Sequence, residues 1–290
     1  MSSPSLETPI LVIGALGNVG REVVKEVIAR GGRVRAAHTD MAAVRARFGA
    51  EVEAVRFDFT DPTTYAATFL GVRKMFYMRP PHLANIRRDL QPSMDAAKAA
   101  GVTHAVFLSL IGIEKAQYVP HYKVETYLRR IGMQTTFLRC SFFMQNLNTV
   151  HRREIQERNE LFVPVSRAKT SFVDVRDIGE VAALALTEEG HAGRNYDLTG
   201  GEALDYWEAT EILSEVLGRK IVYRNPNPLH FLAEAIRRGT PVLYALVQMG
   251  LYTSTRWGMA ETVTGEVERL LGREPISFRQ YALDYRESWL

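Results

Sequence analysis

Short apolar runs alternate along this chain with segments in which apolar positions recur every three or four residues. Residues 10–13, 33–37, 52–57, 74–78, 104–108 and 134–139 read as strands. The first, Ile10-Leu11-Val12-Ile13, is β-branched or bulky throughout and suits a strand buried on both faces of a parallel sheet. Helical spacing follows at about 19–30, where Val23, Val24, Val27 and Ile28 form one apolar face and Gly31-Gly32 ends it. Further helices are expected at 41–48, after Asp61-Pro62, and from 83 to 100, ended by Gly101. Strict alternation of strand and helix predicts an α/β fold with a doubly wound parallel sheet.

Beyond residue 140 the pattern loosens. Strands are expected at 161–165, 196–199 and 221–223, with helices at 179–186 and from 202 to 217. Residues 228–257 form a stripe of large apolar and aromatic side chains, including Phe231, Tyr244, Leu251, Tyr252 and Trp257. We expect a dinucleotide-binding domain over 1–186, with 142–165 contributing to a substrate pocket, and a smaller, mostly helical substrate region over 187–290.

Composition narrows the classes of function. With 290 residues, 46% hydrophobic and 24% charged, the chain is ordinary globular material, long enough for one sizeable core and an appended region. A net charge of +3, with both signs interleaved, offers no concentrated basic face, whereas tight duplex binding neutralises about 6–10 phosphates. No nucleic-acid partner is expected. Residues 1–8 resemble neither a signal nor a transit peptide, and no apolar run approaches the ~20 residues of a membrane helix, so a cytoplasmic protein is expected. The single cysteine, Cys140, ends an apolar run and reads as a buried thiol. The seven histidines form no pair four apart, and no metal site is expected.

The chemistry begins where the first strand ends. Gly14, Gly17 and Gly20 recur at three-residue spacing between strand and helix, in Gly14-Ala15-Leu16-Gly17-Asn18-Val19-Gly20. Gly14 permits a sharp turn, Gly17 lets backbone approach a diphosphate, and Gly20 lets the helix pack on the strand. Free N–H groups at the helix start then favour a dinucleotide's diphosphate.

This Gly-x-x-Gly-x-x-Gly motif resembles the short-chain dehydrogenase/reductase superfamily, most closely its atypical NmrA-like branch and the quinone- and azo-reductase-like subgroup within it. The resemblance covers nearly the whole chain, down to Val267-Glu268-Arg269-Leu270-Leu271-Gly272 and Phe278. It implies cofactor contacts at Gly14, Leu16, Gly17, Asn18, Val19 and Gly20. It also implies an adenosine end at His38 and Thr39, which stand where relatives using the phosphorylated cofactor carry arginine. His38 and Thr39 can hydrogen-bond a 2′-phosphate, with Arg45 or Arg47 reaching back, and Asp40 can instead serve a ribose hydroxyl. NADP(H) is slightly favoured over NAD(H). Asp58 and Phe59 inherit the adenine contact, the other reading of Asp58 being a strand-end cap. Met78, Arg79 and Pro80 are expected along the ribose and diphosphate, Arg79 pointing either to the diphosphate or to solvent. Ser109 completes the cofactor set.

The acid–base pair Tyr-x-x-x-Lys of hydride-transferring relatives is absent. Tyr118 precedes Lys123 by five residues with Pro120 between them, and Ser109 stands two residues before the usual hydroxyl position. The candidates that remain are His121, Tyr118 and Lys123. His121 stands where related ether reductases carry lysine, and it reads either as a general acid with a pKa near neutrality or as a helix-start histidine. Phe142, Phe143, Asn146 and Trp257 are the candidate substrate-pocket residues, the first three against a plain core reading.

Two classes of function fit. One is an NAD(P)H-dependent reductase of a small planar apolar substrate such as a quinone, azo compound or enone. The other is a catalytically silent NAD(P)-binding redox sensor acting on a protein partner.

Overall fold

The computed structural model describes residues 8–290, so the expectation about a leader at 1–8 lies, but for Thr8, outside the described residues. In chain order the strands are β1 (Ile10–Ile13), β2 (Val34–His38), β3 (Val52–Arg56), β4 (Lys74–Tyr77), β5 (His104–Leu110), β6 (Gln134–Cys140), β7 (Glu160–Phe162), β8 (Asn195–Leu198) and β9 (Val222–Arg224). The helices of the first half are α1 (Asn18–Ala29), α2 (Met41–Phe48), α3 (Tyr65–Phe69), α4 (Ile86–Asp89), α5 (Gln91–Ala99) and α6 (Pro120–Arg130). They are followed by α7 (Arg152–Arg158), α8 (Val175–Thr187), α9 (Tyr206–Leu217), α10 (Pro228–Arg237), α11 (Val242–Arg256), α12 (Glu266–Leu271) and α13 (Phe278–Asp284).

The chain forms two compact units. The first holds the described residues up to Cys140 together with Val175–Leu198. Its sheet has seven strands in the order β3-β2-β1-β4-β5-β6-β8, every pairing parallel. Chain order reverses between β1 and β4, so the expected doubly wound Rossmann-like sheet is present, and its crevice opens at the carboxyl ends of those two strands. One core packs Leu11, Ile13, Met75, Tyr77 and Phe107 with Leu90, which joins α4 to α5, with Met94 and Ala97 of α5, and with Val124 and Leu128 of α6. On α8, a Cβ at Gly179 would lie 2.5 Å from Glu22 Cβ on α1, so glycine sets how closely these two helices approach.

The second unit holds Ser141–Asp174 and Thr199–Leu290. It carries the parallel pair β7–β9 and six helices among its described residues, around Ile155, Leu161, Phe172, Leu213, Phe278 and Tyr281. Asp205 and Glu208 close a capping box on α9, and Trp289 donates its indole N–H to the Leu147 carbonyl at 3.1 Å. Among the described residues no helix is long and apolar enough to cross a membrane.

The units depart from a single boundary at residue 186. Phe137 to Cys140 of β6 pair with Asn195 to Leu198, which draws β8 back into the first unit's sheet, while residues 141–174 build the second unit's core. The helix expected over 83–100 is also broken. Asn85 caps α4 by accepting the Arg88 N–H, Leu90 adopts φ −118°, and Pro92, which has no N–H, stands in the first turn of α5.

At the start of β5, His104 is buried, and Thr136 Oγ1 gives its only proton to the His191 carbonyl at 2.7 Å. His104 Nε2 must therefore donate to that oxygen, at 2.8 Å. Burial, with help from nearby Lys74, lowers the His104 pKa to about 4. On acidification the unfolded chain takes up this proton first. Stability from this site is therefore complete above pH 6.5 and falls as pH drops toward 4. The expected loss is on the order of 3 kcal/mol, and His104→Gln should flatten that part of the curve in urea titrations repeated between pH 7 and 4.5.

Candidate cofactor and active site

The turn after β1 is held by contacts that only glycine allows. Gly14 has φ +76°, and a Cβ there would meet Met78 Sδ at 2.8 Å. Gly17 donates its N–H to the Gly14 carbonyl at 2.9 Å and forms the N-cap of α1 without any side-chain cap. A Cβ on Gly20 would stand 2.1 Å from the Gly14 carbonyl oxygen, so α1 rests directly on the turn. Leu16 is half-buried in this turn. The N–H groups of Asn18 and Val19 open α1 with no capping side chain, and no acidic residue occupies the first turn. An uncapped helix start of positive potential, lined by backbone alone, fits a diphosphate.

Along the sheet edge, His38 ends β2 and its Nδ1 accepts the Asp40 N–H at 3.0 Å, leaving Nε2 for a ligand. The Asp40 carboxylate caps α2 by accepting the Ala43 N–H at 2.9 Å. Thr39, Arg45 and Arg47 are exposed, and neither arginine has an ion-pair partner among the described residues. Asp58 Oδ1 accepts both the N–H and the hydroxyl of Thr60, the strand-end arrangement. Phe59 is buried edge-on against Phe57 and Tyr77, and its carbonyl accepts the Tyr65 hydroxyl at 2.6 Å.

Arg79 is held by its own loop. Its guanidinium folds back on its own loop, where Nη1 donates to the carbonyls of Pro80, Pro81 and Leu83 at 2.9 to 3.0 Å. Its Nε is enclosed without a partner, and burial lowers its pKa below the arginine norm. Met78 and Pro80 are half-buried beside it in sequence.

At the carboxyl end of β5, Ser109 joins a buried ion network. The Ser109 hydroxyl donates to Glu125 at 2.7 Å, and Arg139 binds the same carboxylate through Nε and Nη2 at 3.2 and 2.9 Å. Arg139 also reaches Glu114 at 3.3 Å. Glu125 is only 1% exposed.

His121 lies one turn before Glu125 on α6, its ring 6.0 Å from that of Phe107 on β5. Burial, then the neighbouring Arg79 cation, lowers its pKa to about 3. That keeps the imidazole neutral at pH 7 and argues against a general acid titrating near neutrality in the free protein. Nδ1 is enclosed with no partner. That favours the tautomer with its proton on Nε2, where it can be given to a ligand.

Tyr118 and Lys123 do not join His121. Tyr118 precedes α6 and is 81% exposed, and Lys123 is exposed two residues round the helix from His121. The pair that does share a face is His121 and Glu125. Their spacing of four is the one sought for tyrosine and lysine, and a search for any titratable pair at that spacing would have found them.

In the second unit, Phe142 stacks on Tyr252 at 6.4 Å, and Tyr252 in turn hydrogen-bonds His151 Nε2 at 2.7 Å. Phe143 is half-buried and bridges to Val173 through backbone. Asn146 closes a 3-10 turn with its N–H on the Phe143 carbonyl. Trp257 follows α11 and is 75% exposed.

The chain is 30% identical over 281 residues to the NAD(P)H azoreductase of Xenophilus azovorans, covering 94% of this chain and 96% of that protein. It is 29% identical over 286 residues to Prestalk A differentiation protein A of Dictyostelium discoideum, covering 96% and 92%. Its fold matches the NADPH complex of the quinone oxidoreductase QOR2 of Escherichia coli with a TM-score of 0.86, at 20% identity, over 96% of this chain and 99% of that one. Residues 7–281 match the family model described as NmrA-like family, and the chain belongs to that family.

Proposed function

We propose that this protein is an NAD(P)H-dependent oxidoreductase that reduces a small, planar, apolar substrate of the quinone, azo or enone class. The observation that carries the reading is the glycine turn, where Gly20 has no room for a side chain and α1 begins uncapped. The azoreductase named above supports the reaction class. When bound, the dinucleotide supplies a hydride. The chain's own part is to hold the diphosphate at Asn18 and Val19 and to offer the neutral His121 Nε2–H to the oxygen or nitrogen on which negative charge grows. The accompanying proton comes from solvent. Phe142, Phe143, Asn146 and Trp257 are the proposed substrate-pocket residues.

NADP(H) is the proposed cofactor. Asp40 is occupied in capping α2, while His38 Nε2, Thr39 and the unpaired Arg45 and Arg47 suit a 2′-phosphate. A silent redox sensor is the second reading, favoured by the missing Tyr-x-x-x-Lys pair and by the exposure of Tyr118 and Lys123. A panel of quinones, azo dyes and enones, read as loss of NADPH absorbance, separates the two. Turnover is expected with at least one class, and tight NADPH binding without any turnover supports the sensor. His121→Ala should lower kcat at least roughly tenfold, as loss of a donor to developing charge does. In the wild type, kcat/KM should show no inflection near pH 6.5, and one that disappears in His121→Ala would restore the acid role.

A further inference from the structure

Helix α11 runs through residues 242–255 without a charged side chain, yet only Ala245, Tyr252 and Thr255 on it are buried. Ala245, Met249 and Tyr252 define the face turned toward the second unit's core. The opposite face is apolar as well: Leu243 is 73% exposed, Val247 53% and Leu251 45%, with Tyr244 and Leu246 flanking them. A helix apolar on both faces belongs between two packed surfaces, and an exposed apolar patch of more than a few hundred Å² marks an interaction site. Eleven of the exposed large hydrophobic residues fall between Leu229 and Val263. At roughly 100 Å² each, the six of them on α11 itself offer about 600 Å², most of the ~800 Å² per partner that a stable interface buries.

We infer that this face is covered by a second copy of the chain, through antiparallel pairing of α11 about a twofold axis at Val247. In that register, residues equally far before and after position 247 meet. Leu243 faces Leu251 of the second copy, and Val247 faces itself. Tyr244 faces Gly250, where a Cβ would find nothing within 4 Å. The glycine leaves a recess for the tyrosine ring, and the pairing repeats on both sides of the axis, as an isologous interface requires. Antiparallel packing also sets the two Arg256 side chains at opposite ends, whereas parallel packing would bring these like charges together, and it opposes the two helix dipoles favourably. Nothing charged on either copy has to be desolvated at the centre.

Sedimentation velocity from 1 to 100 µM tests the assignment. The wild-type chain is expected at twice 32.7 kDa. Val247→Glu, which sets two carboxylates against each other at the axis, should give a monomer with its melting temperature and NADPH binding retained. Gly250→Leu adds apolar surface and improves the helix, so non-specific stickiness would strengthen association. Filling the recess should instead weaken the dimer at least tenfold. Val247→Cys should cross-link to itself on oxidation, with Cys140 buried and unable to compete. A wild-type monomer at 100 µM overturns the inference, as does a monomer that floats with phosphatidylcholine vesicles. So does a dimer that neither Val247→Glu nor Gly250→Leu disturbs.

Discussion

Gly17→Asp is expected to weaken NADPH binding at least a hundredfold while leaving the fold intact or slightly more stable. Gly17 has φ −72° and ψ 166°, a conformation open to any residue, and it is exposed. A Cβ there meets only the Gly14 carbonyl oxygen at 3.2 Å, which a shift of a few tenths of an ångström relieves. Aspartate is moreover a favoured N-cap, worth roughly a few tenths of a kcal/mol over glycine to a helix that has no side-chain cap. The same carboxylate would occupy the donors meant for the diphosphate and repel it. One such contact at 4 Å costs about 4 kcal/mol at an effective dielectric of 20, more than the 2.7 kcal/mol a hundredfold loss requires. Enhancement of NADPH fluorescence measures the binding, and thermal melting measures the fold. Full binding in a well-folded Gly17→Asp protein would remove the diphosphate from this turn and the proposed function with it.

Glu125→Ala is expected to destabilise the first unit by about 3–5 kcal/mol, the usual result of stripping one partner from a buried ion pair. The Arg139 side chain is 13% exposed, and Glu114, which also reaches it, lies half in solvent. Ser109 would also lose the acceptor of its hydroxyl. At 2–4 °C per kcal/mol, the transition should fall by roughly 10 °C. The double change Glu125→Leu with Arg139→Met should recover most of the loss, because apolar pairs of similar volume replace buried ion pairs at little cost. Calorimetry of the three proteins decides it, and a single-mutant loss below about 1 kcal/mol would mean that the network is only incidental to stability.

The parts of the fold readable in advance were those in which backbone geometry dictates residue type. Gly14 and Gly20 stand where a Cβ would strike Met78 or the turn itself, so the letter itself carries the structure. The run Ile10–Ile13, buried along its length, announced a central parallel strand for the same kind of reason. Arg79 resisted, because its partners are main-chain carbonyls of its own loop, which any sequence supplies. Glu125 carried no signal of its own in the sequence, because its charge partner Arg139 lies on the next strand and its neighbour on the helix face, His121, is one turn away. His121 itself was legible as a position and illegible as an acid, since its pKa is set by enclosure and by a cation about forty residues upstream. The second unit's membership failed on β8, four residues whose place depends on pairing with β6 some sixty positions earlier.

That late return of β8 has a bearing on how the protein is made. The ribosome releases all of residues 141–174 before the first sheet can be finished, so until Leu198 emerges β6 stands as a bare margin with its peptide groups unpaired. Such a margin invites strands from neighbouring nascent chains. A fragment cut after residue 186 would keep it permanently, so the dinucleotide-binding half cannot be taken from this gene as one uninterrupted piece.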